Sequence, residues 1–177
     1  MAFIQLAGVI RESIVDGPGI RFVVFGQGCP HACPGCHNPD THSFDGGYAG
    51  ETRTLLAEYH KNPLLKGITL SGGEPFVQAR AFAVLAAGVR AGGGDVMVYS
   101  GYTFEHLISH ADGENCWGEL LGQADLLVDG QFVLGKKTML LPFRGSSNQR
   151  LLDVPASIAA GGAVASERLA HPFGLTG

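Results

Sequence analysis

Arg21-Phe-Val-Val-Phe-Gly-Gln-Gly-Cys-Pro-His-Ala-Cys-Pro-Gly-Cys-His37 begins as an apolar run and passes without a break into a loop carrying Cys29, Cys33 and Cys36. Residues 21–25 do not alternate between polar and apolar, which is how a strand covered on both faces of a parallel sheet reads. The cysteines that follow are separated by three residues and then two. Thiolates are the usual holders of iron–sulfur clusters, and a four-iron cluster is normally closed by four of them. Three leave one iron open for a small-molecule guest, much as a catalytic metal site keeps a position that a structural site fills.

Two other readings of these cysteines are weaker. A zinc site with His31, His37 or His42 as fourth ligand lacks the distant second pair that zinc sites favour. A disulfide framework is disfavoured because only four cysteines occur in 177 residues, three of them crowded, and the N-terminus does not read as a secretory signal. The fourth, Cys116, stands alone and is expected to pack as a small buried hydrophobe.

Outward from this loop, three further apolar runs read as buried strands: Gly67–Leu70, Asp95–Tyr99 and Asp125–Val128. Their starts are spaced close to the length of one βαβ unit. Between them, Phe82, Leu85, Ala86 and Val89 recur at helical spacing before the stop Gly92-Gly93-Gly94. Thr103 is placed to cap a helix containing Phe104, Leu107 and Ile108, with Glu105 near its N-terminal dipole. Another helix is expected over Thr52–His60. An α/β fold follows, and each chemical motif falls at a strand's C-terminal end, where such folds build their sites. The second motif is Ser71-Gly-Gly-Glu-Pro75, in which adjacent glycines let backbone approach a ligand and Glu74 can either fix the turn or face an ammonium.

The length suits one domain, burying about 70% of the surface of the unfolded chain. The formal charge of −4, with no Lys/Arg block, argues against nucleic acid and against an anionic membrane surface as partners. No apolar run reaches the ~18 residues of a membrane span. A soluble, cytoplasmic protein is expected.

The cysteine spacing together with Gly72-Gly73-Glu74 resembles the radical S-adenosylmethionine (SAM) enzymes, with His37 where an aromatic residue usually stands. The resemblance implies a [4Fe–4S] cluster on Cys29, Cys33 and Cys36, with SAM on the free iron. It implies further that Gly72, Gly73 and Glu74 surround the amino group of SAM, and that Gly35, Cys36 and His37 lie against the cofactor. Asp16-Gly-Pro-Gly-Ile-Arg21 is similar to a run in the activating enzymes of glycyl-radical proteins. Val128-Asp-Gly-Gln-Phe132 and Phe143-Arg-Gly-Ser-Ser-Asn-Gln-Arg150 resemble the closing segments of activases of the anaerobic ribonucleotide reductase.

What this implies is a partial, open (β/α) barrel of parallel strands over residues 1–152, and a C-terminal tail of uncertain structure at 153–177. Its activity would be cleavage of SAM to a 5′-deoxyadenosyl radical that takes hydrogen from a glycine of the reductase. No catalytic acid or base is expected, and a flavodoxin or ferredoxin would donate the electron. The alternatives are an activase of another glycyl-radical enzyme and a radical SAM enzyme acting on a small molecule such as a deazaguanine precursor. A non-catalytic electron carrier or zinc module would have no use for the Gly-Gly-Glu turn.

Overall fold

The structure is a computed structural model and describes residues 2–168. Its centre is four strands, β2 (Arg21–Gly26), β4 (Gly67–Gly72), β5 (Asp95–Tyr99) and β6 (Leu126–Asp129), paired parallel in that order. These are the four apolar runs of the sequence. The sheet extends at both edges. β1 (Phe3–Ser13) lies antiparallel to β2, β3 (Tyr48–Glu51) antiparallel to β1, and β7 (Arg150–Asp153) antiparallel to β6. The order β3-β1-β2-β4-β5-β6-β7 is that of a seven-stranded mixed sheet, which corrects the expectation of parallel strands throughout. β1 hides its period because its register slips between Leu6 and Gly8 and again between Ile10 and Ser13. β3 and β7 have four residues each, too few for a pattern.

The crossovers carry helices to one face of this sheet. α1 (Thr52–His60), α2 (Ala79–Ala91), α3 (Phe104–His110), α4 (Trp117–Gln123) and α5 (Val154–Ala160) bury their apolar sides on Phe22, Val24, Ile68, Leu70, Val96 and Val98. Phe82, Leu85, Ala86 and Val89 are all buried, as their spacing predicts. The Thr103 hydroxyl accepts from the amide of His106 and caps α3. Cys116 is buried in the same core. α5 follows β7 directly; its Val154 is fully buried, and Leu152 bridges to Ala165. The expected tail at 153–177 therefore holds a helix in its first part, and residues 169–177 lie outside the described residues.

The alternate side chains face the other way. At the N-terminal end of the strands that face is closed by Arg21, fully buried with its guanidinium donating to Thr69 Oγ1 (2.8 Å), the Pro18 and Ile68 carbonyls, and Asp95. The Asp-Gly-Pro-Gly run thus folds beneath the sheet as the chain's route to this arginine. Thr69 in turn donates to the Asp16 carbonyl. At the C-terminal end, Phe25, Ser71 and Tyr99 of the same face line a cavity. Among the described residues, no helix is long and apolar enough to cross a membrane.

Candidate metal centre and cofactor cavity

The cysteine loop leaves β2 at Gly26 and is held by main-chain bonds to the segment that returns from it. Gly28 N donates to the Thr41 carbonyl at 2.8 Å and Cys29 N to the His42 carbonyl at 3.1 Å. Gln27, 5% exposed, sends its side-chain amide to the carbonyls of Asp40 (3.1 Å) and Ser43 (2.6 Å), binding the two ends of the loop together. Within the loop Cys36 N donates to the Cys33 carbonyl, and Asn38 N to Cys36 Sγ at 3.4 Å. All three thiols are free and half-buried. Burial pushes the thiols of Cys29 and Cys33 above their ordinary range, partly offset by the main-chain amides of His31 and Phe132 respectively. A metal centre taking these ligands must displace their protons.

The Gly72-Gly73 turn lies against this loop, backbone on backbone. Gly73 N donates to the Gly26 carbonyl (2.8 Å) and Glu74 N to the Gly28 carbonyl (2.9 Å). A Cβ at Gly73 would stand 2.2 Å from the Gly28 oxygen, and Gly72 has φ +94° with no room for one either. These glycines are needed for the fit of two loops as well as for access to the cavity.

Glu74 is 1% exposed, and its carboxylate is filled. Oε1 accepts from Phe76 N (3.1 Å) and Ser100 Oγ (2.9 Å), while Oε2 accepts from Gly101 N (2.9 Å) and His31 Nε2 (2.7 Å). Four donors saturate the acceptor sites of a carboxylate. Of the two roles open to Glu74, the geometry gives it the turn-fixing one: it ties the cysteine loop to the loops after β4 and β5. Gln131 Nε2 donates to His31 Nδ1 at 3.2 Å, so the ring presents Nε2–H to Glu74.

The cavity has a volume of about 750 Å³, within the range of cofactor sites. Cys29, Cys33, Cys36, His37, Gly72 and Gly73 line it; Gly35 and Glu74 do not. Gly35 is covered by the β6–β7 connection, where a Cβ would meet Leu134 Cδ1 at 2.8 Å. Among the described residues no three His, Cys, Asp or Glu side chains gather about a single point as one metal ion requires. A tetrahedral zinc ion needs that convergence, with ligands about 2.0–2.3 Å from one centre. A cubane binds each thiolate at a different corner, and three thiols that line one large cavity are a donor set that fits it.

The polar loop 145–149, of a composition that more often makes a solvated connection, is tied down by specific bonds. Asn148 Nδ2 donates to the Gln131 carbonyl, Gln149 Nε2 to the Gly130 carbonyl, and Gly145 N to Gln149 Oε1. Phe132 packs on His37, centroids 5.3 Å apart. Arg150 anchors the far end by bonding buried Asp129 and Glu105 together, and it holds the Glu105 carboxyl below the usual range. Arg150→Met would leave Asp129 with only its bond from Phe104 N. Thermal unfolding should show a loss of about 2 kcal/mol, less than for a fully enclosed pair because the Arg150 side chain is 40% exposed.

Residues 15–152 match the 4Fe-4S single cluster domain family. The anaerobic ribonucleoside-triphosphate reductase-activating protein of Vibrio cholerae is 35% identical over 144 residues, covering 77% of this chain and 89% of its own. The protein of the same name from Salmonella typhi is 34% identical over 144 residues, covering 77% and 90%. Among solved structures, QueE from Escherichia coli aligns over 72% of this chain and 70% of its own, with a TM-score of 0.47 and 13% identity. The chain therefore belongs to the 4Fe-4S single cluster domain family, in the group that contains the anaerobic ribonucleoside-triphosphate reductase-activating proteins.

Proposed function

We propose that this protein is a radical SAM activase that forms a glycyl radical on an anaerobic ribonucleotide reductase, using a [4Fe–4S] cluster held by Cys29, Cys33 and Cys36. The observation that carries the reading is one cavity of about 750 Å³ that brings all three thiols and the Gly72-Gly73 turn to the C-terminal ends of parallel strands. The relatives' shared name supplies the partner. When bound, the cluster and SAM supply the reductive cleavage that ends in removal of a hydrogen atom from a glycine Cα. The chain's own task is to bind, orient and exclude water, and no acid or base side chain is needed.

In this reading the three cysteines fix the cluster at one wall. Gln27 and the Thr41–His42 carbonyls fix the loop that carries them. Gly72, Gly73, Cys36 and His37 are the SAM contacts. Glu74 acts through His31, Ser100 and Gly101, and Gly35 through its seat under Leu134. Phe25, Leu141 and Phe143 give the cavity an apolar lining that keeps water from the reacting centre. The sheet face opposite the helices is the inner wall of a partial barrel whose open side admits a protein. A flavodoxin or ferredoxin is the electron donor, and four free thiols suit the reducing cytoplasm.

The test is isotopic. Reductase labelled with deuterated glycine is mixed anaerobically with the reduced, cluster-loaded protein and SAM. Deuterium should appear in 5′-deoxyadenosine, with a glycyl signal on the reductase by electron paramagnetic resonance. No deuterium transfer, with turnover driven instead by a metabolite extract freed of macromolecules, would favour a small-molecule substrate.

A further inference from the structure

The cavity wall and the outer side of the cysteine loop are served by different parts of one connection. Thr138, Met139 and residues 141–145 line the cavity, whereas Val133 to Lys137 do not and instead cover the loop from outside through the contact of Leu134 with Gly35. Lys136 and Lys137 are exposed there and, among the described residues, neither forms an ion pair. The charge is segregated. Val133–Lys137 and the loop residues 26–38 that they pack on contain Lys136 and Lys137 and no acidic residue, in a chain whose formal charge is −4. Val133 and Leu134 add an exposed apolar centre, at 39% and 55% exposure.

We propose that this outer face, with Lys136 and Lys137 around Leu134, is the docking surface for an acidic one-electron carrier protein. The proposal rests on the assignment of the cluster to Cys29, Cys33 and Cys36. In this reading SAM and the protein substrate enter by the cavity, which leaves to the donor the part of the loop that Val133–Lys137 cover, where Lys136 and Lys137 carry unpaired positive charge. Redox encounters are small and brief, and charge governs how fast they form more than how tightly they hold. Two lysines around a small apolar centre suit such an encounter. One electron leaves the carrier's reduced cofactor, which is oxidised by one electron, and enters the cluster, which is reduced by one; no bond is made or broken.

The test compares the parent with K136E/K137E, both loaded with cluster, in stopped-flow reduction followed by the loss of cluster absorbance. With fully reduced flavodoxin at low ionic strength the variant should be slower by about tenfold or more, since steering of this kind is worth 10–10³ in rate. Added salt should slow the parent and, by screening the new repulsion, speed the charge-reversed variant. Dithionite should reduce both equally, at equal iron content, and calorimetric titration with oxidised flavodoxin should show weaker binding to the variant. K136Q/K137Q should give an intermediate slowing, and it carries the same test if charge reversal lowers iron content. Equal flavodoxin rates in parent and variant, with iron and dithionite reduction intact, would overturn the docking surface alone. A parent that assembles no four-iron cluster would instead overturn the cluster assignment.

Discussion

Cys29→Ala, Cys33→Ala and Cys36→Ala should each abolish the four-iron cluster and with it all cleavage of SAM, while Cys116→Ala keeps both. The three loop thiols line one cavity, and Cys116 is buried in the core among the helices. A cubane already short of one protein ligand would, after a further loss, be held by only two thiolates. Cys116→Ala removes a small buried group and should cost roughly 1 kcal/mol of stability without touching the site. Anaerobic reconstitution, iron and sulfide counting and visible absorption spectra decide the matter. Loss of the cluster in Cys116→Ala as complete as in the other three would exclude a three-thiolate site with an open iron.

The parts of this molecule that the sequence made legible are those whose signal is local. Cysteine spacing is one, because three thiols within eight residues share a loop in any fold. The four central strands are another, since full burial makes each a continuous apolar run. β1 was missed: its two register slips break the period of two over a strand of eleven residues. Gln27 was missed because a glutamine inside a glycine-rich loop carries no pattern, and its importance comes from two carbonyls that reach it only after the chain has turned back. Glu74 was found by its motif, yet its surroundings were out of reach. Its four donors come from positions 31, 76, 100 and 101, and only one is near in sequence. The same holds for the polar loop 145–149, whose composition is that of a solvated connection. Its bonds to the Gly130 and Gln131 carbonyls and the approach of Gly145 to His37 form only once the chain has come back to the end of β6.

Gly73→Val should lose the cluster together with SAM binding. Taken from the sequence alone, a side chain at this glycine would block the cofactor and leave the iron in place. The structure argues otherwise, because the space a Cβ would take is occupied by the Gly28 carbonyl at 2.2 Å, one residue before Cys29. That carbonyl also accepts from Glu74 N at 2.9 Å, and Gly73 N donates to Gly26 at 2.8 Å, so the clash cannot be relieved without parting the turn from the cysteine loop. Parting them breaks two main-chain bonds and disturbs the seat of Glu74, which holds His31 in that loop. A branched side chain adds stiffness where the neighbour is backbone and cannot swing aside. Iron content after reconstitution should fall to near that of Cys29→Ala, and calorimetry should detect no SAM binding. Gly73→Ala carries the same Cβ against the Gly28 carbonyl and should also lose most of the iron. Full iron in Gly73→Val with SAM binding alone abolished would show that the two loops separate without cost to the cluster, and that Gly73 serves the cofactor only.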